Sequence, residues 1–386
     1  MKHGFMAFVF VAACLFQAAG QQNVTQISYY GHIYLHSSID GRPAFMIFDT
    51  GSPYTCLDSI FVAGSGLEYD SIEWATASGA GNSVVRVPVI VNKLSYTCCD
   101  RVFINEMTPV LQVKPVCGDF ADGIVGISQL NDKVISIDYV AEQMRISDSL
   151  GDTAGYTAIA IRYENNHIYV PITLGIAERG WMSGDVMLDL GSGNSVSIPG
   201  WDAVRDISPR ICFTDINAGV GGETSGCFFR AKSVTVGPFT CDSVTMEYNN
   251  NTVGALSAGS DCLGIAGNAI WERFDMMIDM PGRKLYLKKN ANYDKPFGSP
   301  LMGFFPTNRS RTLGCWIVNG IVTGSNAEKA GLRCGDRITA VNGRSVKEIG
   351  FEDMRTFFDG MKHITLTVER DGKQVEIDFD FDKPRI

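Results

Sequence analysis

The chain has 386 residues, of which 45% are apolar and 19% are charged, and it carries a formal net charge of −9 at pH 7. A chain of this length is expected to fold into two or three domains, because larger chains divide rather than extend one core. The acidic balance, without a basic cluster, argues against nucleic acid as a partner, and none is expected.

The N-terminus has the features of a secretory signal peptide over residues 1–20. Lys2 and His3 precede the apolar run FMAFVFVAACLF, and the small residues of QAAG follow it. A lipoprotein signal ending at Cys14 is the less favoured alternative. No other segment approaches the roughly 18 apolar residues of a membrane-spanning helix. The sequence therefore predicts an exported protein without a transmembrane helix.

Ten cysteines follow the leader, an even number that favours disulfides in an oxidising compartment. They form groups of four, four and two, at positions 56, 98, 99 and 117, then 212, 227, 241 and 262, then 315 and 334. This grouping predicts disulfides within three domains and leaves their pairing open. No Cys-x-x-Cys pair occurs and the five histidines are scattered, so we expect no metal ion or other cofactor. His32, His36 and His167 are expected to be structural.

Two halves of the chain repeat the same landmarks in the same order. In pairs, these are HIYL and HIYV, MIFDTGS and VMLDLGS, GIVGI and CLGI, and ISIDYVAEQMRI and MMIDMPGRKLYL. The offset is nearly constant, and Asp189 follows Asp49 by 140 residues. The repeat predicts that Asp189 is the partner of Asp49.

Each half contains short apolar strands separated by turn-forming residues. Residues 78–83 and 217–226 are glycine-rich hairpin tips. The second tip lacks the Gly-Lys-Ser/Thr sequence of a phosphate loop. The candidate tip residues are Ser78, Gly79, Gly81, Gly219, Gly221 and Gly222. Two such halves should pack about a pseudo-twofold axis and bring their Asp-x-Gly turns together.

The double motif resembles the aspartic peptidases of the pepsin and retropepsin type. Asp-x-Gly-Ser occurs in both halves, and each is followed later by two apolar residues and a glycine. The resemblance implies a mainly β fold with two homologous retropepsin-like barrel lobes, residues 21–150 and 151–290. It implies that Asp49 and Asp189 are catalytic and that the hairpin tips are flaps. The supporting residues are then Thr50, Gly51, Ser52, Leu190, Gly191, Ser192, Gly126 and Gly264.

Two carboxyl groups this close cannot both ionise easily, so the pair is expected to hold one proton over a wide pH range. The ionised member would take a proton from water, and the protonated member would donate to the peptide carbonyl. Ser52 and Ser192 are expected to hydrogen-bond the outer carboxylate oxygens. Leu190 departs from the family pattern, in which a Thr or Ser hydroxyl is usual. The hydrogen bond that a hydroxyl at this position would make is worth on the order of 1 kcal/mol. Its absence therefore favours a modified active site over an inactive one.

Residues 301–382 are predicted to form a third domain after a linker at 291–300. The sequence TGSNAEKAGLRCGDRITAVNGRSV strongly resembles a PDZ domain, which is α+β. The resemblance implies a loop for a peptide carboxylate at Leu301, Met302, Gly303 and Phe304. It also implies a groove wall formed by a helix at 351–361. TLGCW at 312–316 is the alternative loop, and a domain that only braces the chain is the alternative role.

The sequence therefore predicts a monomeric, exported aspartic endopeptidase that acts on polypeptides. Its PDZ domain would capture or orient them, and a peptide C-terminus is a possible partner for its groove. The combination of domains resembles bacterial proteins, which implies the periplasm or outer surface, or secretion. A catalytically silent peptide-binding scaffold is the main alternative. A serine protease centred on Ser192 is a third, for which no histidine has a persuasive context.

Overall fold

The computed structural model describes residues 24–79, 81–176, 179–217, 219–254, 256–257, 259–384 and 386. The predicted signal peptide and Cys14 lie outside the described residues. The fold is mainly β, as the sequence predicts, and helices are short. Across the described ranges, no helix is long and apolar enough to span a membrane.

The first half of the chain forms eleven strands and three short helices. The strands are β1 Thr25–Gln26, β2 Ser28–Tyr30, β3 His32–Ile39, β4 Arg42–Phe48, β5 Cys56–Asp58, β6 Ser71–Ser78, β7 Val84–Cys98, β8 Arg101–Leu111, β9 Gly123–Val125, β10 Val134–Asp138 and β11 Gln143–Ser147. The helices are α1 Ser59–Ser65, α2 Lys114–Cys117 and a 3-10 helix at Ser128–Leu130. The Asp58 carboxylate caps α1 by accepting from the N–H groups of Ile60 and Phe61.

The second half repeats this arrangement with strands of similar order. They are β12 Thr157–Ala160, β13 Arg162–Glu164, β14 His167–Ile176, β15 Gly180–Leu188, β16 Val196–Pro199, β17 Arg210–Asn217, β18 Glu223–Val236, β19 Phe239–Asn249, β20 Ile265–Ala266, β21 Phe274–Asp279 and β22 Lys284–Lys289. Two short helices accompany them, α3 Asp202–Arg205 and α4 Asn268–Trp271.

The sheets of the two halves have the same strand order. The first sheet runs β2-β3-β4-β9-β5-β8-β7-β6, and the corresponding part of the second runs β13-β14-β15-β20-β16-β19-β18-β17. Each has the same additional pairing, β3 with β7 and β14 with β18. In both halves the strand that ends before the Asp-x-Gly turn, β4 or β15, pairs in parallel with β9 or β20. The internal repeat of the sequence is thus also a repeat of topology.

A third sheet joins the halves in the order β1-β11-β10-β21-β22-β12. At its centre β10 pairs antiparallel with β21, with Ile135 opposite Ile278. Both side chains are fully buried, and one hydrophobic cluster extends through both halves. Since each half contributes strands to this sheet, burial of its apolar face fixes the halves against each other.

The C-terminal region forms a smaller sheet with a core of its own. Its strands are β23 Phe304–Arg309, β24 Cys315–Val322, β25 Arg337–Val341, β26 Arg344–Ser345, β27 His363–Arg370 and β28 Lys373–Asp380. Its helices are α5 Asn326–Lys329, a 3-10 helix at Val346–Glu348 and α6 Phe351–Met354. The α-helix at the predicted groove wall therefore ends earlier than the expected 351–361.

This region is continuous with the sheet of the second half. Strand β24 pairs antiparallel with β17, placing Phe213 opposite Val322, and the Thr323 N–H donates to the Cys212 carbonyl at 2.8 Å. The neighbouring Cys212 and Cys227 form a disulfide between β17 and β18. It is the one disulfide among the described residues, so the prediction of disulfides in three domains is wrong for the first and last groups.

Candidate functional site

Asp49 and Asp189 occupy equivalent positions in the two halves. Each directly follows the last residue of its strand, β4 or β15. The Asp49 N–H donates to the Val125 carbonyl and the Asp189 N–H to the Ala266 carbonyl, both at 3.0 Å. These two backbone hydrogen bonds fix the point at which each strand turns, and therefore the position of each Asp side chain.

The two carboxyl groups face each other across the contact between the halves. A Cβ atom placed on Gly51 would lie 2.6 Å from Cγ of Asp189, and one on Gly191 would lie still closer to Cγ of Asp49. Only glycine leaves room for the opposing carboxyl at these positions. The carboxyls are hydrogen-bonded to each other and are half-buried, so solvent still reaches them although protein atoms surround them densely.

The environment raises the pKa of both carboxyl groups. Burial is the main cause for each, and the negative charge of Asp49 raises the pKa of Asp189 well above its usual range. The Asp49 carboxylate accepts from the N–H groups of Gly51 at 2.7 Å and Ser52 at 3.0 Å, which oppose its rise. The pair therefore retains a shared proton above the pH at which an ordinary carboxyl loses it.

The hydroxyls of Ser52 and Ser192 do not hydrogen-bond the outer carboxylate oxygens, so that prediction is wrong. Ser52 Oγ donates to the Tyr54 carbonyl at 2.9 Å, and Ser192 Oγ accepts from the Asn194 N–H at 3.3 Å. Both side chains close their own turns instead. It is the backbone N–H of Ser52 that contacts Asp49.

Gly267, rather than Gly264, is the structural counterpart of Gly126. A Cβ on Gly126 would meet the carbonyl oxygens of residues 52 and 54, and one on Gly267 would meet those of residues 192 and 194. Gly264 instead matches Gly123, since each lies against the strand after its Asp-x-Gly turn. The sequence contains the signal, because GIVG at 123–126 aligns with GIAG at 264–267.

Asn268 is a site residue that the sequence analysis missed. Its buried side-chain amide donates to the Gly31 carbonyl at 3.0 Å and to the Leu190 carbonyl at 2.7 Å, and its Oδ1 accepts from the Tyr139 hydroxyl at 2.8 Å. Gly31 and Tyr139 belong to the first half of the chain. Asn268 therefore ties the second Asp-x-Gly turn to the first half, and the only sequence signal was its place directly after GIAG.

The repeated histidines lie at the same contact between the halves. His32 hydrogen-bonds to the backbone of Gly191, and His167 hydrogen-bonds to the backbone of Gly51. Burial is the main cause that lowers the pKa of each imidazole. Each histidine thus crosses to the Asp-x-Gly turn of the other half. The repeat paired HIYL with HIYV but did not indicate this contact.

The two candidate hairpin tips meet each other. Gly81 and Gly221 form a β-bridge, and the Ser83 N–H donates to the Gly221 carbonyl at 2.9 Å. Gly79 lies against Val220, and the Gly222 N–H donates to the Gly219 carbonyl at 3.1 Å. Ser78 ends β6, while residues 80 and 218 lie outside the described residues. Both halves thus contribute a hairpin to one contact.

The predicted carboxylate loop at 301–304 is engaged by the chain itself. The Leu301 carbonyl accepts from the Asp382 N–H at 2.7 Å, and the Gly303 carbonyl accepts from the Val322 N–H at 2.9 Å. A Cβ on Gly303 would lie 2.8 Å from Cβ of Ser325. Met302 packs partly buried against the core of this region, in which Phe304 is buried.

Comparison with known proteins identifies the C-terminal region. Residues 317–370 match the family model of the PDZ domain. The chain contains a PDZ domain. The prediction of this domain from sequence is confirmed.

One relative shares a short stretch of this chain. It is a protein of Rickettsia conorii named "Putative zinc metalloprotease", 40% identical over 58 residues. The matching stretch is 15% of this chain and 16% of that protein, so the chain covers only a small part of its relative's length.

The predicted function, an exported aspartic endopeptidase, is contradicted by this comparison, because the relative's name points away from an aspartic peptidase. The physical reason for the error is that paired Asp-x-Gly turns specify a geometry, and a geometry can serve more than one activity. Zinc does not fit the described residues either: they contain no group of three or more His, Cys, Asp or Glu side chains able to hold a metal ion. No zinc-dependent reaction step is therefore proposed for this chain.

Proposed function

We propose that this chain acts on polypeptides: its PDZ domain binds them, and its peptide-hydrolysing activity cleaves them. Two findings support this proposal. PDZ domains bind peptide C-termini. The Rickettsia conorii protein that is similar to this chain over 58 residues is named as a protease.

The observation that carries the proposal is the contact between the carboxyl groups of Asp49 and Asp189. A pair that keeps one proton at raised pH can accept a proton and donate one within the same site. Asp49 and Asp189 are therefore proposed to exchange protons during the reaction, with no class of peptidase assigned to this chain. Thr50, Gly51, Leu190 and Gly191 support them by holding the two turns together.

We infer further properties of the same chain. The equal strand order of the two eight-stranded sheets supports two retropepsin-like barrel lobes. The predicted signal peptide supports export to the bacterial periplasm or outer surface. The chain is also proposed to be monomeric. The two hairpin tips contact each other and are proposed to act as flaps, at residues 78–83 and 217–226.

The test is cleavage of an unfolded, fluorescently labelled polypeptide by the purified chain, from mildly acid to neutral pH. Asp49→Asn and Asp189→Asn should each lower the rate by at least about 100-fold, the usual size of a general acid–base contribution. Asp132→Asn is the control, because Asp132 is exposed and its carboxylate contacts Lys133. A folded Asn variant with undiminished activity would remove the pair from the reaction, and an inactive wild-type chain would remove the hydrolysis.

A further inference from the structure

A carboxylate of the first half is buried against the PDZ domain. The Asp119 side chain is 0% exposed and accepts from Arg309 Nε at 2.8 Å, and from the N–H and hydroxyl of Thr312, both at 2.7 Å. Its own N–H donates to the Asn308 carbonyl of β23 at 2.8 Å. Since β23 pairs with β24 on one side, this hydrogen bond uses its other, outer edge.

The next residue contacts the helix across from that edge. The ring of Phe120 lies 5.1 Å from the ring of Phe351, the first residue of α6. Asn308 Nδ2 of β23 lies 2.8 Å from Sδ of Met354, so strand and helix are close here. Residues 118–120, Gly-Asp-Phe, therefore contact both the helix predicted as a groove wall, α6, and the outer edge of β23, which lies across from it.

The contacts of residues 118–120 combine backbone pairing with side-chain recognition. A peptide that adds to a sheet edge gains main-chain hydrogen bonds, and pockets for its side chains give specificity. Here the Asn308 carbonyl on the edge of β23 accepts the Asp119 N–H. Arg309 pairs with the Asp119 carboxylate, and the ring of Phe351 contacts the ring of Phe120. A buried charge is retained only where it is well paired, so a neutral residue would fit poorly beside Arg309.

The chain also holds this segment in a fixed conformation. The buried Lys114 ammonium donates to the carbonyls of Asp119 and Ala121, both at 3.1 Å, and to the Asp122 carboxylate at 2.6 Å. A segment ordered in this way binds without a large entropic cost.

We propose that the groove between β23 and α6 recognises polypeptide segments with an acidic residue followed by an aromatic one, and that residues 118–120 are its resident ligand. An external polypeptide binds there only by displacing this segment. The inference rests on the polypeptide binding proposed above, and goes beyond it by naming the preferred sequence and the competitor.

The experiment measures binding of a fluorescently labelled peptide with the sequence of residues 115–122, PVCGDFAD, in which serine replaces the cysteine. The full chain is compared with its Asp119→Asn and Phe120→Ala variants by fluorescence anisotropy. Both variants weaken the resident ligand, whose effective concentration is on the order of millimolar. The peptide should therefore bind each variant about tenfold more tightly than the wild-type chain. Adding Arg309→Met to Asp119→Asn should abolish that gain.

Two controls make the result specific. A peptide with alanine in place of the aspartate and the phenylalanine should not bind, and Asp132→Asn should leave the affinity unchanged. Phe120 is partly exposed, so its alanine variant remains informative if Asp119→Asn loosens the fold. Equal affinity in the wild-type chain and both variants, or binding to none of them, would overturn the inference. Cleavage is not part of this readout, so an inactive Asp49→Asn chain leaves the result intact.

Discussion

Thr50 and Leu190 share a one-sided hydrogen bond across the contact between the halves. The Thr50 hydroxyl accepts from the Leu190 N–H at 3.0 Å and donates to the Leu188 carbonyl at 2.7 Å. Leu190 is fully buried and has no hydroxyl to return the interaction. The side-chain amide of Asn268 anchors the Leu190 carbonyl instead, so a different residue completes the link between the halves.

Asn268→Ala should destabilise the chain by about 1–3 kcal/mol, because it leaves buried polar groups of Gly31, Leu190 and Tyr139 without their partner. Urea denaturation measures the change. A matched variant, Leu190→Thr, should recover part of the loss in the Asn268→Ala background by supplying the hydroxyl that the wild-type chain lacks. A stability that does not respond to Asn268→Ala would show that Asn268 does not link the halves.

Gly191→Ala should cost about 1–3 kcal/mol, since the added methyl would overlap the Asp49 carboxyl and force the turns apart. Gly51→Ala should behave similarly against Asp189. Gly298→Ala is the control, because a Cβ there meets no atom within 4 Å. Thermal unfolding distinguishes them, and equal melting temperatures for all three variants would contradict the close approach of the carboxyl groups.

Asp189→Asn should make the chain more stable than wild type at neutral pH. The raised pKa of Asp189 means that the folded state holds its proton more tightly than the unfolded state. The stability that Asp189 contributes to the wild-type chain is therefore fully present below its unfolded-state pKa of about 3.9. That contribution is lost as the pH rises through the pKa of Asp189 in the folded state. The neutral amide avoids that loss, which is worth about 1.4 kcal/mol per pKa unit.

The stability difference between Asp189→Asn and wild type should grow from acid to neutral pH in urea titrations. Gly298→Ala, which changes no ionisable group, should show no such trend. A constant difference at every pH would mean that Asp189 titrates as an ordinary carboxyl.

Removing the Cys212–Cys227 disulfide, by reduction or by the double serine variant, should lower stability by about 3 kcal/mol. The bond closes a separation of 15 residues that includes the second hairpin tip, and chain entropy for such a loop gives this magnitude. Denaturation with and without reductant measures it. The serine variant supplies the comparison: reductant should have little further effect on it, and a large further loss would place the effect elsewhere.

The sequence by itself determined the features that depend on neighbouring residues. The apolar strands, the glycine-rich tips and the two Asp-x-Gly turns follow from local patterns, and so does the PDZ domain, whose motif is continuous. A mainly β fold and the PDZ domain are confirmed. The repeat also identified Asp49 and Asp189 as partners, because each occupies the same place in a repeated pattern.

Tertiary structure alone decided which groups meet between distant parts of the chain. Asn268 reaches Gly31 from 237 residues away, and Arg309 pairs with Asp119 over 190 residues. It also decided that the serine hydroxyls turn away from the carboxyl groups, and that the chain's own residues 118–120 contact α6 and the outer edge of β23. A local pattern sets the direction of a strand, but the partner of a buried polar group depends on how both halves and the PDZ domain pack together.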